Sequence, residues 1–323
     1  MNYERSAKAG VFYSPMITLR APAKINLYLR VISKRADGYH ELETLFERIS
    51  LADELVFESS SDGRLTLTCT EPSLSCGEEN LILKAARLLR QISDCAAGAS
   101  IHLIKHIPIA AGLGGGSSDA AAALRGLNEL WRLQLNQQQL IELGASLGSD
   151  VPFFLSDAPF AIGRGRGECC KPLTVGRHQR LIHVLVVPQA HLSTKEIYTT
   201  AEFDLTALKP SISMVSHAFS NGSLGELAKG LWNDLEPEAI RRCPVISVIQ
   251  SCLRASGCLG VRVSGSGPSV YGLCRDAAHA DKVVAQLQQH PECSWRIQVI
   301  ETESSSPTIM RRTLSGVKPL VVA

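Results

Sequence analysis

The stretch that most constrains this chain is Ile107-Pro108-Ile109-Ala110-Ala111-Gly112-Leu113-Gly114-Gly115-Gly116-Ser117-Ser118-Asp119, which runs directly into four alanines. Four glycines within residues 112–116 prevent a continuous strand and permit positive φ and close approach by another group. Ser117 or Ser118 is a residue type that caps helices. Ala120, Leu124, Leu127 and Trp131 then share one helical stripe. The segment is expected to leave a strand that includes Ile101, Leu103, Ile107 and Ile109, turn on the glycines, and enter a helix at the serines. The unpaired N–H groups and dipole of such a helix start form an anion site. Two common phosphate motifs do not fit: no Lys-Ser or Lys-Thr follows the last glycine, and the residue three after Gly114 is Ser117. The bland alternative is a flexible turn between a strand and a helix.

Composition bounds what this loop serves. A length of 323 residues suits two domains. The formal net charge of +2 gives no global field for nucleic acid or an acidic membrane surface. No apolar run approaches the roughly 20 residues of a membrane span, and the first twenty residues lack a signal-peptide core. The ten cysteines contain no C-x-x-C pair, so reduced thiols in the cytoplasm are expected rather than disulfides or zinc.

Ile25, Leu27, Leu29 and Val31 alternate with Lys24, Asn26, Tyr28 and Arg30, which predicts a strand with Lys24 and Asn26 on one face. Further strands are expected at 49–57, 64–69, 181–187, 260–263, 269–273 and 295–300, with helices at 80–92, 224–231, 244–255 and 277–288. Strands and helices mix without a regular βαβ rhythm, so the fold class is α+β. The expected domains are 1–172, with a leader over 1–15, and 173–323, with a loosely ordered Ser-rich tail from about 303.

Three other motifs accompany the glycine loop: Pro22-Ala23-Lys24-Ile25-Asn26-Leu27, Gly148-Ser149-Asp150-Val151-Pro152-Phe153-Phe154 and Val263-Ser264-Gly265-Ser266-Gly267-Pro268-Ser269. In this order the set resembles the GHMP family of small-molecule kinases, over about residues 17–300. Asp37-Gly38-Tyr39-His40-Glu41-Leu42 and Asn233-Asp234-Leu235-Glu236 narrow the resemblance to the branch whose substrate carries a cytidine diphosphate group. The resemblance implies an ATP- and Mg2+-dependent phosphorylation of an alcohol, the 2-hydroxyl of a methylerythritol unit, in isoprenoid precursor synthesis. It implies an N-terminal domain like domain 2 of ribosomal protein S5 and a ferredoxin-like C-terminal domain, with the site between them. A monomer or weak homodimer without nucleic-acid or membrane partners is expected.

By the same resemblance, Asp150 takes the proton of the attacking hydroxyl and Lys24 offsets charge beside it. Their bland readings are a turn or cap aspartate and a solvated strand lysine. Asn26 would bond the reacting hydroxyl or Asp150, Tyr39 and Tyr198 would stack on the cytosine, and His40 would contact it. Residues Pro108 through Ser118 would hold the ATP phosphates, and Ser117 or Ser118 would help position magnesium, whose ligands are otherwise unknown. Gly265, Ser266 and Gly267 would buttress the loop. Arg164 and Arg166 offer a diphosphate contact, the plainer reading being a solvated basic turn. Two positions depart from the family pattern. Ala110-Ala111 stand where further glycines are common, and Pro268 removes a backbone donor. The rival readings are a homoserine- or mevalonate-type kinase of the same family, and a non-catalytic nucleotide- or RNA-binding module.

Overall fold

The computed structural model describes residues 16–173, 180–203, 208–290, 294–304 and 309–312. The expected leader and most of the expected tail lie outside them. In chain order the first part contains β1 (Met16–Lys34), β2 (His40–Ser60), β3 (Leu65–Cys69), α1 (Leu81–Ser93), β4 (Gly98–Ile104), α2 (Gly115–Leu130), α3 (Gln137–Leu147), α4 (Val151–Leu155), β5 (Phe160–Gly165) and β6 (Cys169–Pro172). The second part contains β7 (Ile182–Val187), α5 (Thr194–Thr200), α6 (Ile212–Ser220), α7 (Leu224–Gly230), β8 (Trp232–Asn233), α8 (Glu236–Arg242), α9 (Val245–Ala255), β9 (Gly260–Val263), β10 (Val270–Cys274), α10 (Ala277–Gln288), β11 (Arg296–Glu301) and β12 (Met310–Arg312).

Two sheets organise these elements. The larger runs β12-β1-β2-β4-β3, with β5 and β6 continuing from β2 and β8 lying on β1. The smaller runs β11-β7-β10-β9, all antiparallel. Helices α1, α2 and α4 pack on the larger sheet through Leu19, Phe57, Ile101, Leu124 and Phe153, and α3 packs on those helices. Helices α9 and α10 pack on the smaller through Ile249, Leu253 and Val283 against Val184 and Val261. A third cluster, containing Tyr28, Leu45, Leu185 and Tyr271, joins the two sheets.

The expected strand at 49–57 is the far part of β2. In its near part the apolar pattern is broken by Glu41, Glu43, Glu47 and Arg48. Glu47 and Arg48 are fully buried. Each is satisfied across the fold: Glu47 contacts His183 at 2.8 Å and accepts from Thr302 at 2.6 Å, while Arg48 donates to the Glu303 carbonyl at 3.1 Å. Buried charges persist where such partners exist. The tail, expected to be loose, supplies β12, which pairs with Met16, Ile17 and Thr18. Both β8 and β12 lie on β1, so chain beyond residue 173 contributes to both sheets.

Candidate active site

One cavity of about 1190 Å³ opens between β1, the glycine loop, α4, α5 and the residue 264–267 turn. Its floor is β1. This strand is buried on both faces from Ala21 to Leu29, so the alternation of Lys24 and Asn26 does not lead to solvent. The β1–β2 register slips between Pro22 and Lys24 and again between Asn26 and Tyr28. Such irregularities re-aim side chains beside functional clefts. Lys24 Nζ donates to Asn26 Oδ1 at 2.6 Å and to the Gly112 carbonyl at 3.0 Å, and stands 3.8 Å from Asp150 Oδ2. Burial lowers the Lys24 pKa, and the Asp150 charge opposes that shift. Asn26 donates in turn to Thr44 Oγ1 at 2.8 Å, and Thr44 donates to the Tyr28 carbonyl at 2.7 Å. The Asn26 amide is thus engaged on both sides and fixes Lys24.

Asp150 is the residue before α4, a helix formed by the apolar Val151-Pro152-Phe153-Phe154-Leu155, all buried. Its side chain makes no capping hydrogen bond. The side chain therefore does not cap α4, and the carboxylate lines the cavity beside Lys24, about one-third exposed.

The glycine loop lies against the 264–267 turn. Gly112 has φ +75°, and a Cβ there would come 2.1 Å from the Ser264 carbonyl oxygen and 2.9 Å from the Gly267 nitrogen. Ser264 Oγ donates to the Gly112 carbonyl at 2.9 Å, and Asn233 Nδ2 donates to the carbonyls of Val263 and Gly265 at 2.9 and 2.8 Å. The Asn233-Asp234-Leu235-Glu236 motif thus holds this turn, with Glu236 Oε2 accepting from the Val263 nitrogen at 2.8 Å. Ala110 adopts φ +52°, a left-handed conformation that costs an alanine energy.

The helix start differs from the expected one. The N-cap of α2 is Gly114, φ +70°, without a side-chain cap. A Cβ at Gly114 would stand 3.0 Å from Lys24 Cγ, so the left-handed backbone favours glycine and the space beside it is tight. Ser118 does not cap: it is buried inside the helix and donates to the Pro22 carbonyl at 2.6 Å. That hydroxyl ties α2 to β1, and Ser117 rather than Ser118 lines the cavity. The expected anion site remains, because the N–H groups after Gly114 still open the helix.

A buried triad stands behind the loop and carries no local sequence signal. Lys105 Nζ donates to Asp119 Oδ2 at 2.8 Å and also contacts Asp53 Oδ2. Asp53 Oδ1 accepts from the Ile107 nitrogen at 2.8 Å, pinning the residues that lead into the loop. Asp119 Oδ1 has no hydrogen-bond partner among the described residues. Burial, assisted by the Asp53 charge and opposed by Lys105, pushes the Asp119 carboxyl up to about 7.

At the other end of the cavity, His40 stacks on Tyr198 with ring centroids 5.6 Å apart and meets Phe203 edge-on at 5.2 Å. Burial lowers the His40 pKa. Tyr39 is largely exposed at the rim, where the Arg166 guanidinium lies 5.0 Å from its ring centroid. The structure therefore brings Tyr39, His40 and Tyr198 to one rim and Lys24, Asn26 and Asp150 to one floor. Thr194 Oγ1 and Ser266 Oγ, 2.9 Å apart, bridge α5 to the 264–267 turn between them. A carboxylate beside a buried ammonium, under a helix start rich in free N–H groups, is suited to passing a phosphoryl group to a hydroxyl.

This arrangement, on a two-sheet α+β frame, defines a small-molecule kinase, and the chain belongs to the GHMP kinase family: residues 80–158 match the GHMP kinases N terminal domain and 215–293 the GHMP kinases C terminal domain. Two of its relatives in that family share one activity in their names. It is 40% identical over 300 residues to a 4-diphosphocytidyl-2-C-methyl-D-erythritol kinase of Pelotomaculum thermopropionicum, covering 91% of this chain and 100% of the relative. It is 41% identical to the enzyme of that name in Salinibacter ruber, covering 83% and 93% of the two chains. A crystal structure of 4-(cytidine 5'-diphospho)-2C-methyl-D-erythritol kinase superposes with a TM-score of 0.73 at 35% identity, over 88% of this chain and 99% of that one. A homoserine kinase from Cytophaga hutchinsonii shares the fold, with a TM-score of 0.71 at 17% identity over 96% and 100%. No helix among the described residues is long and apolar enough to cross a membrane.

Proposed function

We propose that this protein transfers the γ-phosphoryl group of ATP to the 2-hydroxyl of 4-diphosphocytidyl-2-C-methyl-D-erythritol, giving the 2-phosphate and ADP. The observation that carries this reading is the 3.8 Å approach of Lys24 to the uncapped Asp150 carboxylate at the floor of a cavity walled by the glycine loop. Asp150 accepts the hydroxyl proton as the oxygen attacks the γ-phosphorus, and the bond to the β-bridging oxygen of ATP breaks. Lys24, fixed by Asn26 and the Gly112 carbonyl, stands 3.8 Å from Asp150 and offsets charge on the transferring group. The segment from Pro108 to Ser117 holds the ATP phosphates, with backbone N–H groups of Gly115 and Gly116 at the helix start facing them. Gly265, Ser266 and Gly267 keep that segment in place.

Magnesium suits the oxygen donors present, with Ser117 and Asp150 both lining the cavity, and it would neutralise part of the triphosphate charge. Tyr39 and Tyr198 provide aromatic faces for the cytosine, and His40 provides a ring nitrogen for its polar edge. The protein acts in the cytoplasm as a monomer or weak homodimer, which sedimentation measures directly.

An ADP-release assay against a panel of alcohols tests the reaction. Turnover with the cytidine diphosphate alcohol, and little with homoserine or mevalonate, is the expected result. Turnover with homoserine in its place would move the protein to another branch of the family. Tight RNA binding without turnover of any alcohol would favour the non-catalytic module.

A further inference from the structure

We propose that Arg166 is a specificity residue that grips the diphosphate of the nucleoside diphosphate substrate, between the aromatic rim and the catalytic floor. The inference rests on the cytidine diphosphate reading above. It starts from the turn joining β5 to β6, whose backbone is fixed by two carboxylates. The Gly165 nitrogen donates to Glu41 Oε1 at 3.2 Å and the Arg166 nitrogen to Glu168 Oε2 at 2.6 Å. One side of this turn faces the rim, where the Arg166 guanidinium lies 5.0 Å from the Tyr39 ring centroid. The other side abuts the floor, where a Cβ on Gly167 would stand 3.8 Å from Asp150 Oδ1. The turn therefore spans the distance between the ring that faces the base and the carboxylate that faces the reacting hydroxyl. In a nucleoside diphosphate alcohol, the diphosphate is the part that lies between base and alcohol.

The charges of the cavity point to the same residue. Its two inner ammonium groups are committed. Lys24 is held by Asn26, the Gly112 carbonyl and Asp150, and Lys105 is held by Asp53 and Asp119. Arg164, two residues before Arg166, is mostly exposed and paired with Glu43 at 3.1 Å. Arg166 is different. It lines the cavity, and only its Nε reaches an acceptor, Glu168 Oε1 at 3.4 Å. Its terminal nitrogens make no hydrogen bond among the described residues. With the guanidinium over the Tyr39 ring, those terminal N–H groups remain available, and a planar fork matches two phosphate oxygens at once. Lys34 and Lys195 also line the cavity, but an ammonium on a flexible stem offers a point charge and no such fork.

The test is the binding of cytidine and CDP to the wild-type protein and to Arg166→Met and Arg166→Lys. Arg166→Met is expected to weaken CDP by roughly tenfold or more while cytidine changes less than about twofold. Arg166→Lys is expected to recover part of the CDP affinity. In steady state, Arg166→Met raises KM for the cytidine diphosphate alcohol and leaves KM for ATP unchanged. Equal losses for cytidine and CDP would reduce Arg166 to a support for Tyr39 and overturn the proposal, as would an unchanged CDP-to-cytidine ratio. Failure of the wild-type protein to bind cytidine or turn over the alcohol would instead overturn the substrate reading on which the proposal rests.

Discussion

Lys24 Nζ and Asp150 Oδ2 lie 3.8 Å apart, with the lysine side chain 5% exposed and the aspartate side chain 30% exposed. The asymmetry assigns their roles. The aspartate lines the cavity and reaches solvent, while the lysine is locked by Asn26 and the loop carbonyl. Replacing Asp150 with alanine is expected to lower kcat by about 10²–10⁴-fold. ATP binding should change little, because the glycine loop is untouched. Titration with a non-hydrolysable ATP analogue, beside single-turnover rates, checks both parts, and near-wild-type turnover would remove Asp150 from the chemistry.

The lowered Lys24 pKa gives a pH signature. Its ordinary value is 10.5, and burial brings the folded value below that. In the proposed mechanism Lys24 acts as a cation, so kcat should begin to fall at a pH below 10.5. Stability moves the other way. Between the lowered folded value and 10.5 the unfolded chain binds more protons, so this group's contribution to folding grows with pH. A kcat profile that holds to pH 10.5 and beyond would contradict the assignment.

The glycine loop carries strain at one residue and none to spare at another. Ala110, at φ +52°, should be relieved by Ala110→Gly, with a gain of roughly 0.5–1 kcal/mol after the glycine's own entropy is counted. Gly112→Ala would place a Cβ 2.1 Å from a backbone oxygen and should cost several times more, with loss of ATP binding. Thermal unfolding of the two variants reads the opposite signs directly.

The buried triad predicts a rescue. Removing the ammonium in Lys105→Met leaves Asp53 and Asp119 facing each other without compensation, at a cost of about 3–5 kcal/mol. Adding Asp119→Asn should return part of that loss, which a double-mutant cycle measures. The wild-type triad also has a pH sign. Asp119 is raised from 3.8 to about 7, so the folded protein holds the extra proton and this group's contribution to stability falls as pH rises through that window. The Asp119→Asn variant should lose that component of the slope.

Much of the site could be read from local pattern. The period-two alternation placed Lys24 and Asn26 on one face of a strand, and the glycine cluster marked a strand-to-helix turn. The helix expected at 80–92 is α1, where Asn80 caps by accepting from the Ile82 nitrogen. Where the serines were expected to cap α2, Gly114 does so, because its left-handed backbone disfavours a side chain and Lys24 and Phe154 crowd the space one would occupy. Glu47, Arg48 and Asp119 look like ordinary solvated charges in sequence, and all three are buried.

The class of elements, the position of the glycine turn and the family set of motifs were all legible in the chain, because periodicity, glycine placement and residue order act within a few residues. Only the tertiary structure decided which charges are free to act. Asp150 is uncapped and open, Lys24 is held by residues 2 and 88 positions away, and Lys105 is taken up by carboxylates 52 and 14 positions away. Arg166 is left with its terminal N–H groups available beside Tyr39. The reason is physical. A side chain's charge state and availability depend on burial and on partners brought together by long-range packing, and neither is encoded in the local period of the chain.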